Sequence, residues 1–187
     1  MRQALPQHEL SLHYQPKVDA QSGRIVGAEA LLRWHANGRV QYEPDQFIPV
    51  AEDGGQILEI GAWVLRQACA RAAAWLRKGL ALPVVAVNLS ILQFRHGDLV
   101  QQVVDALRES GLPAHRLELE ITESVLMRET DKVLSTAARL RALGVRLAID
   151  DFGTGYSSLA YLQRLSVNKL KIDQSFVRTA LLGPGTV

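Results

Sequence analysis

One cysteine in 187 residues excludes a disulfide framework within the chain and leaves a structural zinc site without thiolates. That residue, Cys69, lies in RQACARAAAW, where helical spacing gives it a core-packing role. An excess of one charge is also missing. Lys and Arg number 21 and Asp and Glu 19, a formal net charge of +2, so no basic surface for a DNA or RNA polymer is expected. No apolar run approaches the roughly 20 residues of a membrane span. The longest, near LALPVVAV, falls well short, and MRQALPQHEL holds no apolar core of a secretory signal. A cytoplasmic domain with no membrane insertion is the expectation. Internal repeats, low-complexity tracts and linkers are absent, and no glycine-rich dinucleotide fingerprint follows the first strand-like segment.

What is present is an alternation of strand-like and helix-like segments. LSLHYQPKV (10–18) and IVGAEALLRW (25–34) form an opening strand pair around QSGR. PDQFIPVAED (44–53) reads as a short helix, and 56–79 as a long amphipathic one stopped by Gly79. VVAVNLS (84–90), RLELEIT (116–122), VRLAID (145–150) and NKLKID (168–173) are strands. The intervening helices run over 96–111, 131–144 and 157–165, and SFVRTALL begins another. Six strands alternating with helices predict an α/β fold with a mostly parallel sheet, either open and doubly wound or a (β/α) barrel.

Polar residues collect where these strands end. Glu29 and Arg33 stand in AEALLRW, Asn88 in VNLS, Glu120 in ELEIT, Asp150 and Asp151 in LAIDD, and Lys171 with Asp173 in KLKID. In parallel α/β folds ligands gather at that edge. Strand alternation lets Glu29, Asn88, Glu120 and Asp150 converge from four strands. Three carboxylates and an amide form an all-oxygen set suited to Mg²⁺ or Mn²⁺ rather than zinc. Each residue also has a plainer use: a strand-end Asp caps a helix, Asn88 turns the backbone, Lys171 is a solvated side chain, and Glu118 with Glu120 makes a solvated strand face.

EALLRW, VNLS, ELEITES, IDDFGTGYSSLAYLQRL and KLKIDQSFV occur in that order, with YQPKV before them and PDQFIPVAED between the first two. Together they resemble the EAL domain of bacterial cyclic di-GMP phosphodiesterases, over about residues 5 to 178. The resemblance implies a TIM-like (β/α) barrel with an antiparallel first strand, here with about six of eight strands. It implies one domain over 1–187 that lacks the family's C-terminal strands. By the same resemblance Glu29, Asn88, Glu120 and Asp150 are metal ligands, Asp151 helps hold a second metal, and Lys171 positions the attacking water. Glu29, Asp151 and Lys171 are then the catalytic set. Gln15, Leu32, Arg33 and Asp173 become substrate contacts, with Arg33 on a phosphate and Gln15 toward a guanine.

Glu123 would steady the loop after Asp151, whose Gly153 and Gly155 permit positive φ. The implied activity is hydrolysis of cyclic di-GMP to the linear dinucleotide pGpG with two Mg²⁺ or Mn²⁺ ions. The implied partner is a second copy, docked through that loop. The strand-end glutamate that completes the second metal site and a glutamine that contacts substrate have no counterpart in this sequence. The alternative is therefore a catalytically impaired receptor for the same dinucleotide, or a dimerisation module.

Overall fold

The computed structural model describes residues 4–36, 39–80, 84–96, 98–123, 130–153 and 165–181. Among these residues the framework is a single sheet of seven strands. Strands β1 (Leu10–Val18) and β2 (Ile25–Ala36) form an antiparallel pair, joined on the far side of β2 by the short β3 (Arg39–Tyr42). From β2 onward the main path is parallel, through β4 (Val85–Leu89), β5 (Leu117–Thr122), β6 (Arg146–Phe152) and β7 (Lys169–Ile172), in the order β1-β2-β4-β5-β6-β7. This is an α/β barrel wall with an antiparallel first strand, not closed between β7 and β1 among the described residues.

Helices α1 (Pro44–Asp53), α2 (Ile57–Arg77), α3 (Ile91–His96), α4 (Leu99–Ser110), α5 (Thr130–Ala142) and α6 (Gln174–Leu181) connect and cover the strands. Helix α2 buries Ile60, Val64, Leu65, Ala68, Cys69 and Ala72 at helical spacing. Its stripe meets Val85, Val87 and Leu89 of β4 and Leu117, Leu119 and Ile121 of β5 in one core. These strand residues alternate, so the other face of the same strands is left for Ala86, Asn88, Glu118 and Glu120. No helix among the described residues is long and apolar enough to cross a membrane.

Two local features differ from the sequence expectations. A seventh strand, β3, follows β2, and the Asn37-Gly38 dipeptide between them is the hairpin signal that marks it in the sequence. The helix expected over 96–111 begins at Leu99, because the Asp98 carboxylate accepts from the Gln101 amide at 3.2 Å and caps it, while α3 is a separate turn before it. The helix expected over 157–165 lies outside the described residues, apart from its last position. Gly111, with φ 70°, closes α4 in the left-handed conformation that glycine adopts without cost.

Candidate functional site

Register places the strand-end residues side by side. Glu29 pairs with Ala86, Asn88 with Glu120, and Thr122 with Asp150. Between β6 and β7 the register slips: Ile149 faces Leu170 and Phe152 faces Ile172, so Asp150 and Asp151 together oppose Lys171. That extra residue is a β-bulge. Asp151 supplies the irregular backbone with φ 54°, a left-handed conformation that Asp tolerates better than most residues, and its amide donates to Asp150 Oδ1 at 2.9 Å. The bulge sets Asp150 in the carboxylate cluster and leaves Asp151 exposed beside it.

The cluster is compact. Carboxylate oxygens of Glu29, Glu120 and Asp150 lie within 4.8 Å of one another. Lys171 Nζ sits among them, donating to Asp150 Oδ2 at 2.5 Å, Glu120 Oε2 at 2.8 Å and Glu29 Oε2 at 3.2 Å. Asn88 Nδ2 donates to Glu29 Oε1 at 2.8 Å. Glu120 is fully buried, and Glu118 is 1% exposed, so neither belongs to a solvated strand face. The solvated reading of Lys171 likewise gives way to three ion pairs.

Electrostatics follow from this crowding. Burial raises the Glu120 carboxyl above its usual range and the Glu29 charge adds to it, against the pull of Lys17 and Lys171. Asp151 is raised by burial and then by Asp150, Asp173 and Glu29, which puts its charge within reach of the same cluster. Burial works against the Lys171 ammonium, but its bonds to Asp150 and Glu120 and the nearby charges drive its pKa well up, so it stays cationic. The Lys171 ammonium thus balances three carboxylates at one point. The oxygen-only donor set, with an amide beside it, fits Mg²⁺ or Mn²⁺.

The remaining expected residues fall around this centre. Gln15 stands directly opposite Glu29 across the β1–β2 pair and is exposed. Leu32 is half-buried against the core, and Arg33 Nη1 donates to its carbonyl at 2.8 Å. Both line a cavity of about 480 Å³ with Pro44, Glu52, Asn88, Ser90 and Gln93. Buried Glu123 accepts from the Gly153 amide at 2.8 Å, which ties the end of β5 to the turn after Asp151. Gly153 has φ 103°, and a Cβ there would lie 2.6 Å from the Phe176 ring. Gly155 lies outside the described residues. Asp173 is occupied at the start of α6, where its Oδ1 accepts from the Ser175 amide at 2.9 Å and the Ser175 hydroxyl at 2.5 Å. Those bonds lower its pKa and give it a helix-capping part.

Two supports were not singled out by motif. Ser90 donates its hydroxyl to Glu52 at 2.5 Å, and the Ser90 amide donates to Gln93 at 3.0 Å, which braces the turn after Asn88. Below the cluster, Lys17 and Lys169 pair with Glu118. A buried acid in an alternating strand implies a cation partner, but which lysine supplies it depends on how distant strands meet.

Comparison with known proteins gives the family and the fold. A family model described as EAL domain matches residues 1–184. The chain is 50% identical over 177 residues to the bifunctional diguanylate cyclase/cyclic di-GMP phosphodiesterase MucR of Pseudomonas aeruginosa, covering 95% of this chain and 26% of that protein. It is 45% identical over 177 residues to the cyclic di-GMP phosphodiesterase NbdA of the same organism, covering 95% of this chain and 23% of NbdA. The chain thus spans about a quarter of the length of these curated relatives. A solved structure described as PaMucR phosphodiesterase in a c-di-GMP complex superposes with a TM-score of 0.92 at 49% identity, over 97% of this chain and 74% of that one.

Proposed function

The chain belongs to the EAL domain family, and we propose that it hydrolyses cyclic di-GMP to linear pGpG with Mg²⁺ or Mn²⁺ bound at the strand-end cluster. The observation that carries this reading is Lys171 held by Glu29, Glu120 and Asp150, with Asn88 on Glu29. Glu29, Asn88, Glu120, Asp150 and Asp151 are the residues that would hold the ions, and Asp151 would face the second. Bound there, a divalent cation lowers the pKa of a water and offsets charge on a phosphodiester.

The chain's own groups do the rest. Lys171 donates to all three carboxylates, and its part is to orient a water or a phosphate oxygen. Arg33, at the cavity beside Asn88, presents a planar fork that suits a phosphate. Gln15 extends the contact surface across β1, and Leu32 supplies apolar wall. Asp173, two residues beyond Lys171, is assigned to a substrate contact beside its capping of α6. Glu123 holds the Gly153 turn after Asp151 in place. We assign the chain to the cytoplasm and to a homodimer through the loop after Asp151, which sedimentation of a dilution series tests.

Incubation with cyclic di-GMP and Mn²⁺, followed by chromatography, should yield linear pGpG. Calorimetric binding without product would overturn hydrolysis and leave a receptor. Neither binding nor product would leave the dimerisation module.

A further inference from the structure

Beneath the strand-end cluster the same face of the sheet carries a second tier of charge. Lys17 reaches from β1 across to β5, where its Nζ donates to Glu120 Oε1 and, at 2.9 Å, to Glu118 Oε1. Lys169 on β7 grips both oxygens of Glu118, at 2.9 and 2.8 Å. Glu120 is therefore held from two sides, with Oε1 on Lys17 below and Oε2 on Lys171 above. The Lys17 side chain is only 19% exposed, and its two acids are 1% and 0% exposed. A buried carboxylate with one oxygen fixed cannot rotate freely about its last torsion. The other oxygen is then presented in one direction only.

We propose that Lys17 is a positioning residue for the cation site. By fixing Glu120 Oε1 it aims Oε2 at the space that Glu29 and Asp150 share, while the Glu118–Lys169 pair fixes Lys17 in turn. The inference rests on the cation-site reading above. It goes beyond that reading in assigning a function to residues outside the strand-end motifs. Partners of this kind, which touch a ligand and not the metal, typically carry about ten- to a hundredfold of metal affinity.

The sign of the effect separates positioning from simple charge. An ammonium near a cation site repels the cation, so if Lys17 acted by charge alone, Lys17→Met would bind Mn²⁺ more tightly. Positioning predicts the opposite. Mn²⁺ titration of the full chain, followed by electron paramagnetic resonance, reads this directly and without turnover. Lys17→Met should weaken binding about ten- to a hundredfold, and Lys17→Arg, which keeps the donor, should recover most of that loss. If Lys17→Met does not fold by circular dichroism, Lys17→Gln, shorter and uncharged, is read in its place with the same direction expected. Unchanged or tighter binding in the neutral variant overturns the proposal. Asp150→Asn in the same series keeps the two ideas apart. If the parent binds Mn²⁺ and Asp150→Asn binds it equally, the site itself is misplaced and the Lys17 role falls with it. If only Lys17→Met is unaffected, the site stands and the positioning role does not.

Discussion

The two faces of β5 differ by a single residue step. Leu117, Leu119 and Ile121 point into the helices and are fully buried among apolar side chains. Glu118 and Glu120, one residue out of phase, are as deeply buried but lie in ion pairs with Lys17, Lys169 and Lys171. Burial is the same on both faces, but what it does differs. On the first it stabilises by removing apolar area from water. On the second it raises the cost of each charge and makes every partner indispensable. The fold rests on one face, and the proposed cation site lies on the other.

The largest effect expected from breaking this division is on the charged face. Glu29→Ala should remove turnover of cyclic di-GMP, by at least about a hundredfold, with melting temperature little changed. A product assay beside a thermal melt checks both halves. On the apolar face the outcome should invert. Leu119→Ala should cost about 2–5 kcal/mol in urea unfolding, while Mn²⁺ affinity of the folded fraction stays within about twofold of the parent.

Glu118 lies between these cases, since it is charged yet is not a proposed ligand. Burial would raise its pKa, but the bonds from Lys169 and Lys17 prevail and lower it from the ordinary 4.5. A lowered carboxylate contributes stability that is present above pH 4.5 and is lost as pH falls through the folded value. Glu118→Gln should flatten the fall in stability below about pH 4.5, measured by denaturant midpoints across the acid range. The smallest effect belongs to a charge off both faces. Arg108, 70% exposed, pairs with Asp105 at 2.8 Å along α4, and Arg108→Ala should move stability by less than about 0.5 kcal/mol.

Much of this division was legible in the sequence. The alternation of RLELEIT separates the two faces of β5 without any structure, and the strand-end acids, amide and lysine place the cluster at one edge. The Asp150-Asp151 pair was legible as an oddity. Its cause, a bulge with Asp151 at φ 54°, needed the pairing of β6 with β7. Lys17 and Lys169 were not legible as partners of Glu118, because 101 and 51 residues separate them and only the sheet order β1-β2-β4-β5-β6-β7 brings them together. The capping of α6 by Asp173 was local, and the Asp-Gln-Ser spacing carried the signal. Strand β3 had its Asn-Gly signal too, but four residues are too few for a periodicity to show.

The central claim is that the Lys171 ammonium marks the place of a divalent cation. Crystals of the chain soaked in Mn²⁺ test it most directly, through anomalous difference density. A peak bounded by Glu29, Asn88, Glu120 and Asp150, with Lys171 released from at least one of its three carboxylates, is the predicted result. Lys171 still bound to all three, with manganese elsewhere or nowhere, would contradict it.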